Sequence, residues 1–129
     1  MERTVAMATG RRNSIEHTSV YGGTYLLHLH RSAYRDDGSL AIVAWTQDED
    51  CIWEPYDEIT THLGGTYREN TAHVSMDRYG DLCQEFLSRG WARQIRTDIS
   101  GPERFALLEF SEEFLNEICA GLREAGGGL

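Results

Sequence analysis

Two histidines, His28 and His30, lie one residue apart in the stretch TYLLHLHRSAY, residues 24–34. Because the stretch alternates like a β-strand, both imidazoles are expected on one face, about 6–7 Å apart. Imidazoles at that spacing can share a metal ion, and His62 or His73 could complete a three-ligand site, which a carboxylate such as Asp57 or Glu58 could join. The alternative is a half-buried strand whose polar face carries both histidines. No HExxH motif or Cys/His spacing supports a metal centre, so we predict solvent-facing imidazoles and no cofactor.

A run of acidic side chains is the strongest functional candidate. The segment 48–58 contains six carboxylates, two aromatic residues and no basic side chain. A like-charged run is either a solvated loop or a surface that meets positive charge. Aromatic residues beside acids combine apolar anchors with steering charge, a mixture typical of interfaces. We predict a partner-binding surface that consists of Asp48, Glu49, Asp50, Trp53, Glu54, Tyr56, Asp57 and Glu58.

A second acidic group lies near the end of the chain. Its members are Glu109, Glu112, Glu113 and Glu117. If the fold brought both groups to one side, the combined surface would imitate the phosphates of a nucleic acid.

The overall charge restricts the class of partner. The chain has 129 residues, enough for one domain with a real core, and its formal net charge is −9. Seven arginines face nineteen acids in residues 36–129, and all twelve basic residues are arginines. The absence of lysine excludes Schiff-base chemistry and a P-loop. An acidic body disfavours direct nucleic-acid binding but suits a basic protein partner.

Motifs for catalysis, disulfides and membranes are missing. The sequence has no GxSxG, GxGxxG or Walker pattern, and we predict that the protein is not an enzyme. Cys51, Cys83 and Cys119 form no CxxC, so we expect buried reduced thiols, with Cys51 the most exposed. No apolar run approaches the roughly 18 residues of a membrane span, and no signal peptide is evident. We therefore expect a cytoplasmic protein.

Hydrophobic periodicity predicts an α+β fold. Residues 1–20 are expected to form a flexible arm, 21–124 a single domain, and 125–129 a frayed tail. Strands are expected at TYLLHLHRSA and SLAIVAWT, joined by a turn at Asp37-Gly38, followed by an acidic connection that Pro55 interrupts. Further strands are EITTHL, a short piece within TYRENTAHVSM, WARQIRTDI and RFALLEF. The order β-β-β-(β)-α-β-β-α predicts a mainly antiparallel sheet of about five strands packed against two helices.

Both helices have recognisable boundaries. Asp77 is the expected N-cap of the first helix, and Gly90 its stop. Ser111 is the expected N-cap of the second. The buried stripe of the first helix is expected to consist of Leu82, Cys83, Phe86 and Leu87, and that of the second of Phe114, Leu115, Ile118 and Leu122.

The order of several segments resembles that of a known family. The segments are YLLHLHRSAYRDDGSLAIVAW, EPYDEITTHL, NTAHVSMDRYGDLCQEFLSRGWA and SGPERFALLEF, followed by a closing amphipathic helix. It is an uncharacterised family of small proteins of conjugative, plasmid and phage elements, catalogued as a domain of unknown function. The likeness covers residues 24–118, and His62 stands where many members have Asn. The resemblance implies an accessory gene of a mobile element, whose small acidic products often inhibit host defence proteins.

Taken together, the sequence predicts a non-enzymatic inhibitor of the anti-CRISPR or DNA-mimic type. It would cover, stoichiometrically, a basic nucleic-acid-binding surface of a host protein. One alternative is a small metal-binding protein or metal-dependent enzyme that uses His28, His30 and His62. Another is a homodimeric structural domain that pairs through an exposed sheet edge.

Overall fold

The computed structural model describes residues 14–118 of the chain. Eight strands and two helices follow one another in this region. The strands are β1 (Ser14–Thr18), β2 (Thr24–Ala33), β3 (Leu40–Gln47), β4 (Trp53–Glu58), β5 (Thr60–Thr61), β6 (Thr71–Ser75), β7 (Ala92–Ser100) and β8 (Glu103–Phe110). The helices are α1 (Met76–Ser88), between β6 and β7, and α2, whose described part covers 112–118.

The strands form two antiparallel sheets of four strands each. The first sheet has the order β1-β2-β3-β4, and the second has the order β5-β6-β8-β7. The predicted α+β class, with mainly antiparallel strands and two helices, is confirmed. The chain passes between the sheets at Ile59, which is fully buried and donates its N–H to the Ile42 carbonyl at 2.8 Å. This division into two sheets replaces the single sheet of about five strands that the sequence predicted.

Two strands occur where the sequence indicated irregular structure. β1 lies within the segment predicted as an arm, and it pairs with β2 in the register Ser14↔His28 to Thr18↔Thr24. Its burial alternates, with Ile15 and His17 pointing into the protein. β4 takes up much of the acidic connection, and Pro55 is tolerated because β4 is an edge strand of the sheet. Residues 1–13 and 119–129 lie outside the described residues, and with them the predicted tail 125–129 and the predictions for Cys119 and Leu122.

The helix boundaries follow local capping. α1 begins one residue before the predicted cap, because Ser75 is the N-cap and its Oγ accepts from the Arg78 N–H at 3.1 Å. Asp77 lies in the first turn instead, where its carboxylate accepts from the Arg104 N–H at 2.9 Å. Gly90 follows the helix with φ 73°, as a stop requires. Ser111 caps α2 through the Phe114 N–H at 3.1 Å, as predicted.

The core lies between α1 and the two sheets. α1 contacts β1 of the first sheet and β6, β7 and β8 of the second. Leu82, Cys83 and Phe86 form its buried stripe as predicted, whereas Leu87 is exposed. Burial of the Cys83 thiol raises its pKa to about 12, so it stays protonated, while Cys51 is exposed as expected. Neither described helix is long and apolar enough to cross a membrane.

Candidate functional site

The turn between β3 and β4 begins the predicted acidic surface. Asp48 organises it: one carboxylate oxygen accepts from the Asp50 N–H at 2.8 Å and from the Ile52 N–H at 2.9 Å. Cys51 adopts φ 64°, a left-handed conformation that few side chains take up. Asp48 therefore stabilises the turn from inside, and the exposed side chains of Glu49 and Asp50 project from it.

The two aromatic residues of this surface pack on their own sheet. Trp53 meets His28 edge to face, with 4.5 Å between ring centroids. Tyr56 contacts Tyr25 at 4.9 Å and His17 at 5.9 Å. Both side chains are half-buried, so they anchor β4 to the sheet and leave only part of each ring accessible.

The last two carboxylates of the surface are engaged within the protein. Asp57 accepts a short hydrogen bond from the Tyr79 hydroxyl and lies 3.5 Å from Arg78 Nη1. Burial, followed by this bond to Asp57, raises the pKa of Tyr79. Glu58 lies beside Tyr34, whose pKa is raised by burial and then by hydrogen bonding to that carboxylate.

The predicted acidic surface therefore separates into two sets. Asp48, Asp57 and Glu58 bond to the turn, to α1 or to a neighbouring tyrosine. Glu49, Asp50 and Glu54 are exposed and form no ion pair within residues 14–118. We call the segment 48–58 the acidic edge, because it forms one border of the first sheet. Within the acidic edge, the charge that is available to a partner is therefore concentrated on Glu49, Asp50 and Glu54.

The second acidic group belongs to the other half of the molecule. Glu109 lies on β8 of the second sheet and pairs with Arg93 at 2.6 Å. Glu112, Glu113 and Glu117 lie on α2. The first acidic group thus lies on the first sheet, whereas the second lies on β8 and α2, and the ion pair with Arg93 offsets part of the charge of the second.

The expectation of solvent-facing imidazoles is wrong for His28. Its side chain is buried against Trp53, and its Nδ1 hydrogen-bonds to the Ser14 hydroxyl at 3.1 Å. Burial lowers its pKa, so the neutral imidazole is favoured. His30 is half-buried opposite Val43. His28 is covered because β1 and β4, two strands that the sequence did not predict, bring Ser14 and Trp53 to it.

His62 is held apart from these two histidines. Its Nε2 lies 2.9 Å from the Asp37 carboxylate, and its ring meets Tyr34 and Tyr67 at 5.0 and 4.9 Å. No group of three or more His, Cys, Asp or Glu side chains in the described part of the chain is placed to hold a metal ion. The alternative site of His28, His30 and His62 is therefore not assembled.

Three side chains form a hydrogen-bonded chain that the sequence did not indicate. The Tyr67 hydroxyl lies 2.6 Å from His73 Nδ1, and His73 Nε2 lies 2.6 Å from the Asp98 carboxylate. His73 is buried, and its bond to Asp98 is the main cause that lowers the pKa of that carboxyl. Tyr67 lies on a loop, His73 on β6 and Asp98 on β7. Their spacing in the sequence does not predict this contact, because only the pairing of the strands brings the three side chains together.

Comparisons with known proteins add no relative. No family model matches the chain, and neither a curated protein nor a solved structure shows significant similarity to it. The resemblance to mobile-element proteins therefore stays a prediction.

Proposed function

We propose that this protein is a non-enzymatic binding module whose acidic edge docks on a basic surface of a protein partner. The observation that carries the proposal is the set of exposed carboxylates Glu49, Asp50 and Glu54, which have no ion-pair partner among the described residues. Unpaired like charges at a sheet border repel one another, and a cationic partner would relieve that repulsion. They would also accelerate the encounter with such a partner.

The class of partner follows from the charge pattern and the expected setting. A surface that attracts a row of carboxylates is one that otherwise attracts phosphates. The resemblance to mobile-element proteins points to a nucleic-acid-binding defence protein of the host, which this chain would cover stoichiometrically. Trp53 and Tyr56 would supply the partly accessible aromatic area at the centre of such a contact.

The test is a charge reversal that spares the fold. The variant Glu49→Arg/Asp50→Arg/Glu54→Arg removes the outward charge, while Asp48 is kept because it holds the turn together. The matched control Glu16→Arg/Asp36→Arg/Glu112→Arg changes the net charge equally at exposed positions outside the acidic edge. Tagged proteins would be used to capture partners from nuclease-treated host lysate at low and high salt.

We expect the wild-type protein and the control to recover the same nucleic-acid-binding protein at low salt, and to lose it when salt or competing DNA is added. With the purified partner, association should slow by about tenfold or more in the edge variant, because steering depends on the field of these charges. Equal recovery by the edge variant would refute the proposal.

A homodimer is the second candidate, and β7 favours it. β7 is a nine-residue edge strand of the second sheet, and Ile99 on it is 74% exposed. An unpaired strand with exposed apolar side chains can pair with a second copy. Sedimentation of the purified protein alone separates the two candidates: a dimer that Ile99→Arg dissociates supports the second, and a monomer leaves the first.

A further inference from the structure

A cavity of about 560 Å³ lies between the β2–β3 hairpin and the loop that precedes β6. This volume falls in the range of small-molecule sites. The lining is mixed, and its polar members include Arg31, Ser32, Ser39, Thr66, Arg68 and Asn70. The cavity contains none of the residues of the acidic edge, so it is a separate feature of the molecule.

Two of the lining residues, Arg31 and Arg68, are arginines that form no ion pair with a carboxylate among residues 14–118. By contrast, every described arginine after position 70 is in an ion pair; these are Arg78, Arg89, Arg93, Arg96 and Arg104. Arg31 and Arg68 form no such pair within residues 14–118, although the protein has 21 acidic residues. Two arginines that are unpaired within the described residues therefore line one cavity in an otherwise acidic protein.

The position of Arg31 in β2 explains why the absence of an ion pair within residues 14–118 matters. Arg31 follows Leu27 and Leu29 on the same face of the strand, and both leucines are fully buried. It is itself half-buried, opposite the buried Ile42. A guanidinium at the end of a core-facing row loses solvation, and the usual compensation is a carboxylate or phosphate.

The acidic side chains at the cavity do not supply that compensation. Asp37 accepts from the Ser39 N–H at 2.9 Å and from the Ser39 hydroxyl at 2.7 Å, and it pairs with His62 at 2.9 Å. These bonds, led by the Ser39 amide, lower its pKa to about 2. Glu69 also lines the cavity, but it is exposed and pairs with neither arginine.

We infer that this cavity binds a small anionic molecule through Arg31 and Arg68, with a phosphate or carboxylate group between the two guanidinium groups. Guanidinium groups present fixed donor pairs that match both oxyanions. The hydroxyls of Ser32, Ser39 and Thr66 and the amide of Asn70 supply further hydrogen bonds for the rest of the ligand.

The experiment uses the ¹⁵N-labelled full chain, titrated separately with inorganic phosphate and with succinate, against sodium chloride at equal ionic strength. We expect amide shifts that saturate and are confined to residues 31–40 and 65–70. Saturation with phosphate identifies the phosphoryl class, and saturation with succinate the carboxylate class. Shifts that do not saturate with either probe, or that lie elsewhere, would overturn the inference.

Variants decide whether the two arginines are responsible. Arg31→Gln and Arg68→Gln should each weaken binding by about tenfold or more, the usual effect of losing one charge-assisted contact. Arg35→Gln is the matched control, since Arg35 also lacks an ion pair in the described chain but does not line the cavity. Equal affinity of all three variants and the wild type would contradict the assignment. Melting curves verify that each variant is folded.

Discussion

The two sheets carry their charges differently. In the second sheet and its flanking helix, arginines face carboxylates, as in Arg93–Glu109 at 2.6 Å and Arg104–Asp77 at 3.2 Å. In the first sheet, Arg31 and the outward acids of the acidic edge form no ion pair within the described chain. Exposed ion pairs contribute little stability, but they do neutralise the local field. Ion pairing therefore neutralises these charges of the second sheet, whereas Arg31 and the outward acids of the first sheet keep theirs.

The largest expected effect is a loss of stability in the core, and it tests whether the two sheets unfold as one cooperative unit. Phe86 of α1 is fully buried and meets Phe110 of the second sheet at 5.4 Å. The same helix reaches the first sheet through Asp81, which lies 2.9 Å from His17. Phe86→Ala should lower the free energy of unfolding by about 3–5 kcal/mol, because it leaves a cavity among Trp91, Phe110 and Phe114.

Urea unfolding followed by two probes measures this effect. Tryptophan fluorescence reports on Trp45 and Trp53 in the first sheet and on Trp91 beside the second, while far-UV circular dichroism reports on both. For the wild type and for the variant, we expect the fluorescence and circular dichroism curves to coincide. Both curves of the variant should be shifted to lower urea concentration by the same amount. Two separate transitions would show that the sheets unfold independently.

Smaller losses in the free energy of unfolding are expected when either of two histidine–aspartate pairs is removed. His73 of the second sheet is buried and bonds to both Tyr67 and Asp98, whereas the His62–Asp37 pair is more exposed, with side-chain exposures of 22% and 37%. His73→Phe should cost about 2 kcal/mol, because a buried charge-assisted hydrogen bond is lost. His62→Phe should cost no more than about 1 kcal/mol, as expected for a solvated pair. Thermal or urea unfolding checks both values, and equal losses would contradict the comparison.

The smallest effect is a pH dependence located in the first sheet. Burial lowers the pKa of His28 below its ordinary value of 6.5. Below pH 6.5 the unfolded chain gains a proton that the folded chain resists, so stability should fall as the pH drops toward the lower folded pKa. His28→Gln should remove this component of the slope of melting temperature against pH. An unchanged slope would show that other groups are responsible.

Local chemistry in the sequence determined many elements. The Asp37-Gly38 turn joins β2 to β3 with Gly38 at φ 73°, and Ser111 caps α2 as predicted. These features depend on a few neighbouring residues, whose backbone preferences act wherever the segment lies. The acidic character of segment 48–58 was also predictable, because the local density of charged residues follows from the sequence alone.

The tertiary structure alone decided which of these residues are available. The sequence did not show that Asp48 and Asp57 bond within the protein while Glu49, Asp50 and Glu54 remain outward. Burial of His28 likewise depends on Ser14 and Trp53, which strand pairing brings to it.

The arginine-lined cavity and the Tyr67–His73–Asp98 chain arise in the same way. Each joins segments that are distant in sequence, and contacts of that kind are fixed by which strands pair and in which register. Periodicity within one segment predicts the face on which a side chain lies. It carries no information about the side chain that another strand places opposite, and that neighbour decides whether a charge is compensated or left for a ligand.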